Sequence, residues 1–185
     1  MINYPNGKKS FNRSANTYKN MSNQGMALEE MINKTNEYYK AHNIAYVHKR
    51  PTPVKVLKTN DYAHIVDGVF LEPSTLDYVG TYKGKYLDFE AKETISKKGF
   101  PIKNIASHQI QAIKDIINNG GISFVIIFLK SFNEIYYIDG KDMISLYDSE
   151  QTIISYDKIK EIGIIIKEGY LAPVDYISVI KKIYL

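Results

Sequence analysis

The 185-residue chain sets 24 Lys and Arg against 20 Asp and Glu, for a net charge of +4, and is 44% hydrophobic, enough for one globular domain with a sizeable core. It has no cysteine, which excludes disulfides, thiolate metal sites and thiol nucleophiles. No apolar run approaches the roughly 18 residues of a membrane span, and the polar N-terminus lacks the apolar stretch of a secretory signal, so a cytoplasmic protein is expected.

The charge is unevenly placed. The first acidic residue is Glu29, and Lys8, Lys9, Arg13 and Lys19 precede it. Those four cations equal the excess of the whole chain. Residues 1–25 are rich in Asn, Ser and Gly, with Tyr4, Phe11 and Tyr18 interleaved. That composition predicts a basic arm able to touch phosphates and stack on bases, or else a solvated tail. The remainder, 26–185, reads as one domain.

Leu28, Met31, Ile32 and Tyr39 recur at helical spacing, predicting a helix over Met26–Tyr39 that starts near Asn23-Gln24-Gly25. Glu29 and Glu30 fall in its first turn, where the helix dipole favours acids and where one of them could also point into a site. Ile44–His48 predicts a short strand, ended by Pro51 and Pro53. His48, Lys49 and Arg50 read as a basic patch. Val54–Leu57 and His64–Leu71 predict two strands, with turn residues at Lys58-Thr-Asn-Asp61, able to project as an arm.

The most informative stretch runs from Asp77 to Glu93. Tyr78–Tyr82 and Tyr86–Phe89 predict the strands of a hairpin around Lys83-Gly84-Lys85. A Lys83-Gly84 loop sets Asp77 opposite Glu90, and a Gly84-Lys85 loop sets it opposite Lys92. Residues directly opposed share a face, and so do alternate residues of one strand. Either two-residue loop therefore predicts Asp77, Glu90 and Lys92 on one face. Two carboxylates suit Mg2+, and a neighbouring ammonium can orient a water or offset phosphorane charge. The plainer alternative is that Asp88, Glu90 and Lys92 are the solvent face of an amphipathic strand.

Ile105–Ile117 predicts a second helix, with Ile110, Ile113 and Ile117 on one face and Asn118-Asn-Gly-Gly121 as its stop. Ile122–Leu129 is almost wholly apolar and predicts a central strand buried on both faces. Ile135–Ile138 is its expected neighbour. A short helix over Lys141–Tyr147 follows, then a mixed stretch over Ile153–Ile166, then a helix opened by Pro173 and running to Lys182. This order predicts an α/β domain with a mixed sheet. His42, His48, His64 and His108 lack zinc-ligand spacing, Gly120-Gly121 lacks the rest of a phosphate loop, and no Gly-x-Ser-x-Gly elbow occurs.

Tyr4-Pro-Asn-Gly7, Gly25-Met-Ala-Leu-Glu29, Lys49-Arg-Pro-Thr-Pro-Val54, the Asp77–Thr94 block, His108-Gln-Ile110 and Asp175-Tyr-Ile-Ser178 resemble the RecU family of Holliday-junction resolvases, in the same order and almost end to end. The resemblance implies a restriction endonuclease-like fold of the PD-(D/E)xK nucleases: a mixed central sheet flanked by helices, with a protruding two-stranded stalk over roughly 54–72. It implies a homodimer that uses Mg2+ or Mn2+ to cut opposed strands of a four-way DNA junction in recombination and repair. A recombinase and a branch-migration helicase are implied as partners. Carried over by position, Asp77 and Glu90 are metal ligands, with the Phe89 or Ala91 carbonyl beside them. Lys92 is the catalytic lysine, Glu29 a helix carboxylate near the metal and Gln109 a supporting glutamine. Lys55 and Lys58 on the stalk, with Lys8, Lys9, Arg13 and Lys19 on the arm, would hold DNA. The family often has Arg where this chain has Gln24, and Thr where it has Leu76. A duplex nuclease on the same scaffold and a non-catalytic junction-binding module are the alternatives.

Overall fold

A computed structural model describes residues 27–70, 75–149 and 151–185. The predicted arm with Lys8, Lys9, Arg13 and Lys19, the predicted start of the first helix around Gln24, and residues 71–72 of the predicted stalk lie outside the described residues. In chain order the elements begin with α1 (Leu28–Ala41), β1 (Tyr46–Lys49), β2 (Val54–Thr59), β3 (Ile65–Phe70), β4 (Tyr78–Tyr82) and β5 (Lys85–Thr94). They continue with β6 (Gly99–Pro101), α2 (Ser107–Asn118), β7 (Ile122–Leu129), β8 (Glu134–Asp139), α3 (Gly140–Asp148), β9 (Ile153–Ser155), α4 (Tyr156–Ile162), β10 (Ile164–Ile166) and α5 (Tyr176–Tyr184).

The central sheet has six strands in the order β1-β4-β5-β7-β8-β10. β5 and β7 run parallel and the other neighbours antiparallel, so the sheet is mixed, as predicted. The parallel pair needs a crossover, which β6 and α2 supply. One face of the sheet packs on α1 and α5, through Leu28, Met31, Ile32, Ile177 and Ile180. The other packs on α2, α3 and α4, through Ile110, Ile113, Met143 and Ile159.

A row of rings fixes the register on the first face. Tyr78 of β4 stacks on Phe89 of β5 at 5.0 Å, Phe89 on Phe124 of β7 at 4.5 Å, and Phe124 on Tyr137 of β8 at 4.5 Å. A one-residue slip of β5 would send its apolar residues to the wrong side and unstack this row. The same alternation sends Asp88, Glu90 and Lys92 to the α2 side. β1 closes on β4 because Gly80 has no side chain; a Cβ there would lie 2.2 Å from the Tyr46 carbonyl oxygen and 2.6 Å from Val47 Cα.

Most predicted elements appear with shifted ends. β5 runs on to Thr94, past the predicted Phe89, because it pairs with β7 to that point. The predicted turn at Lys58–Asp61 moves to Asn60–Ala63, where Asn60 Oδ1 accepts from the N–H groups of Tyr62 and His64. Pro173 does not open the last helix. Asp175 caps it instead, accepting from Ser178 N–H, and α5 starts at Tyr176. The ambiguous 153–166 stretch resolves into β9, α4 and β10, and β6 was not foreseen. β2 and β3 pair only with each other, and every residue in them is exposed, which makes them the predicted stalk. Among the described residues no helix is long and apolar enough to cross a membrane.

Candidate active site

The hairpin loop is Lys83-Gly84, with Tyr82 opposite Lys85 and Tyr78 opposite Phe89. Lys83 (φ 46°) and Gly84 (φ 76°) are both in the left-handed region, as a tight two-residue hairpin turn requires. Of the two predicted registers, this is the one that sets Asp77 against Glu90.

β4 begins at Tyr78, one residue after Asp77, so beyond the Tyr78–Phe89 pair side chains take over from the β4–β5 ladder. Asp77 N–H donates to Glu90 Oε2 at 3.2 Å, and Ala91 N–H donates to Asp77 Oδ2 at 3.1 Å. Lys92 Nζ lies 2.6 Å from Glu90 Oε1. Asp77, Glu90 and Lys92 are thus brought together. They are not a solvent face, since Glu90 is 1% and Asp88 2% exposed. Burial pushes the Glu90 carboxyl up to about 7, the facing Asp77 pushes it the same way, and the Lys92 ammonium pulls it down. A divalent cation between the two carboxylates would relieve that repulsion.

Glu29 sits in the first turn of α1, half-exposed, and its carboxylate pairs with Lys49 Nζ at 2.5 Å. That pair ties it to β1. Its backbone is closer in: Tyr78 Oη donates to the Glu29 carbonyl at 3.2 Å and lies 3.1 Å from Asn33 Oδ1. Gln109 occupies the first turn of α2, where its Oε1 accepts from Ala106 N–H at 3.0 Å. His108 beside it is exposed. Lys55 and Lys58 are exposed on β2. Leu76 is fully buried among the side chains on the α2 face. Among the described residues, no three acidic or histidine side chains form a ready-made metal cluster. Two carboxylates with room for waters are nonetheless a normal protein share of a Mg2+ shell.

The basic patch read at His48-Lys49-Arg50 is corrected by the structure. Only His48 and Lys49 are exposed; Arg50 turns inward. Its backbone N–H donates to the Asp77 carbonyl at 2.7 Å and its Nε to the Leu76 carbonyl at 3.3 Å. Its guanidinium pairs with Asp88 Oδ2. The same carboxylate oxygen accepts from Tyr86 Oη at 2.8 Å, and Ser123 Oγ donates to the Asp88 carbonyl at 2.8 Å. Burial raises the Asp88 pKa, with Tyr86 and Arg50 pulling it back. Sequence reasoning missed Arg50, Tyr86 and Ser123. Asp88 had one available signal, its shared face with Glu90; the others join it only through the fold.

Comparison with known proteins gives a consistent picture. Residues 23–182 match the family described as RecU, Recombination protein U. "Holliday junction resolvase RecU" from Bacillus thuringiensis (strain Al Hakam), Bacillus cereus (strain AH820) and Bacillus anthracis (strain CDC 684 / NRRL 3495) is in each case 44% identical over 198 residues, covering 99% of this chain and 98% of the relative. The solved structure of Archaeoglobus fulgidus Hjc, a Holliday junction resolvase from an archaeal hyperthermophile, is 14% identical with a TM-score of 0.34, covering 57% of this chain and 69% of that one. That last likeness is too slight to carry an argument.

Proposed function

Because the chain belongs to the Recombination protein U family, we propose that it is a Mg2+-dependent endonuclease that resolves four-way DNA junctions by paired symmetric nicks. The observation that carries this reading is the meeting of Asp77, Glu90 and Lys92 just before β4 begins, where β5 runs past it.

The donor set fits the ion. Asp77 and Glu90 supply two carboxylates, and Mn2+ would be accepted by the same oxygens. The N–H and C=O of one strand residue point to the same side, and consecutive residues alternate sides. The Ala91 carbonyl therefore shares the direction of the N–H that reaches Asp77, past the end of β4. The Phe89 carbonyl is directed at Tyr78, so Ala91 is the better third donor. Glu29 would join by giving up Lys49, an exposed ion pair of little worth in water. When bound, the ion would polarise the scissile phosphate and lower the pKa of a water.

The protein's own groups do the rest. Lys92 sits beside the carboxylates with its side chain largely sheltered, so its ammonium can turn from Glu90 to hold the attacking water or offset charge on the phosphate. Gln109 supports the site from α2, its amide oriented by the helix cap. Lys55 and Lys58 on the stalk, and Lys8, Lys9, Arg13 and Lys19 on the arm, bind phosphates. A homodimer would match the two-fold symmetry of the junction and so pair the nicks. A recombinase and a branch-migration helicase are the partners such a step calls for, in the cytoplasm where the chromosome lies.

The test is incubation with a labelled four-way junction in Mg2+, beside a linear duplex of the same sequence. Paired cuts in the junction alone are expected. Equal cutting of the duplex would make the protein a general nuclease, and tight binding without cutting would make it a non-catalytic junction module.

A further inference from the structure

Resting on the nuclease reading, the geometry points to Arg50 and Asp88 as a positioning pair that sets Asp77 in place for the metal. Asp77 lies just outside β4, one position beyond the last Lys49–Tyr78 pair of the β1–β4 ladder. Glu90 holds its N–H, and Arg50 holds the carbonyl side of the segment, its backbone N–H donating to the Asp77 carbonyl and its side-chain Nε to the Leu76 carbonyl. Arg50 is itself the residue after β1 and precedes Pro51, so no strand holds its side chain. Asp88 does, from a site 2% exposed, with Tyr86 and Ser123 holding Asp88 in turn. The chain of contacts runs from a buried carboxylate on β5, through a guanidinium, to the carbonyl of Leu76, the residue just before the metal-binding aspartate. Arg suits this task because its planar fork donates in several fixed directions at once, which a lysine cannot.

The position also joins the site to the stalk. Arg50 stands at the foot of β2 and Asp77 just beyond the return from β3, and the bond between them is 2.7 Å. A strain on the stalk that moved its first leg would therefore be felt at Asp77.

The test uses the full chain with Arg50→Gln, Arg50→Lys, Asp88→Asn and the double change Arg50→Gln/Asp88→Asn. Removing one partner strands a buried charge or polar group and can unfold a protein, whereas removing both is far milder. The double variant is thus the decisive one. Junction binding without metal, the Mg2+ concentration at half-maximal cleavage, and Mn2+ affinity by calorimetry are measured on each. We expect the double variant to bind the junction like wild type, with its Mg2+ midpoint and Mn2+ affinity weakened about tenfold or more. Arg50→Lys should recover part of that loss, and the two single losses should not add. A wild-type metal midpoint and affinity in the double variant would overturn the inference, leaving the pair as mere fold. Loss of metal-free junction binding with unchanged metal affinity would also overturn it, making Arg50 a phosphate contact. If the wild-type protein cuts no DNA, the nuclease reading falls, and the Mn2+ titration still decides the positioning role.

Discussion

Two of the antiparallel hairpins, β4–β5 and β2–β3, are built in opposite ways. β4–β5 lies inside the sheet, with Phe89 and Leu87 fully buried on one face and Glu90 on the other. β2–β3 pairs only with itself, and Val54, Val56, Leu57, Ile65, Val66, Val69 and Phe70 are all exposed. The difference shows where each hairpin draws its order. The first is held by neighbours on both edges and both faces, so its register is strongly specified. The second has its ladder and its feet, and a bulge between Val56 and Lys58 interrupts even the ladder. A site that must hold a metal to a fraction of an ångström belongs on the first kind of support. A part that reaches into a partner can be the second.

The sharpest way to break the contrast is at Asp77. Asp77→Asn should cut junction cleavage to below about one-thousandth of wild type while leaving junction binding intact, as seen by gel cleavage and gel shift on the same preparation. Lost binding would argue against the assigned role. Next in size is Phe89→Ala, which removes the centre of the aromatic row and should cost about 3–5 kcal/mol in urea unfolding. Gly80→Ala should cost about 1–3 kcal/mol or more, since its methyl group would meet the β1 backbone. On the stalk, Lys55→Ala and Lys58→Ala should barely change stability. Each should weaken junction binding alike for all sequences and lower the slope of log affinity against log salt by about 1. Smallest of all, Val56→Ala should shift unfolding by no more than about 0.5 kcal/mol, despite removing an aliphatic side chain from a strand. A cost at Val56 as large as that at Phe89 would mean that the stalk is packed in solution.

The same contrast governs what the sequence made legible. Hairpin parity is a local property, so Asp77, Glu90 and Lys92 could be grouped from turn chemistry alone. The grouping depended on an even loop, since a three-residue loop would break the parity, and the Lys83-Gly84 turn with positive φ at both residues meets that condition. The buried strand β7 was legible end to end because its apolar run is unbroken. The ends of α1, β5 and α5 were less so, because tertiary pairing and capping set them. Arg50 and Asp88 meet across 38 positions, and no local pattern distinguishes an inward arginine from its exposed neighbours His48 and Lys49. Glu29 was legible as a first-turn acid, but its partner Lys49, 20 positions on, was not. The 153–166 stretch failed for another reason: β9 and β10 are three residues each, too short for either periodicity to register.

The Arg50–Asp77 backbone bond has one more consequence, for how such a chain can change over generations. It brings the two ends of the stalk excursion together at its base, so to the rest of the fold the whole ribbon is a single long surface insertion whose ends already meet. Lengthening an insertion of this kind costs only about 0.6 kcal/mol per doubling. Residues could be gained or lost in pairs, one on each leg, and the cross-strand partners would stay matched. The reach of the ribbon is thus free to drift, while Asp77, Glu90 and Lys92 stay where they are.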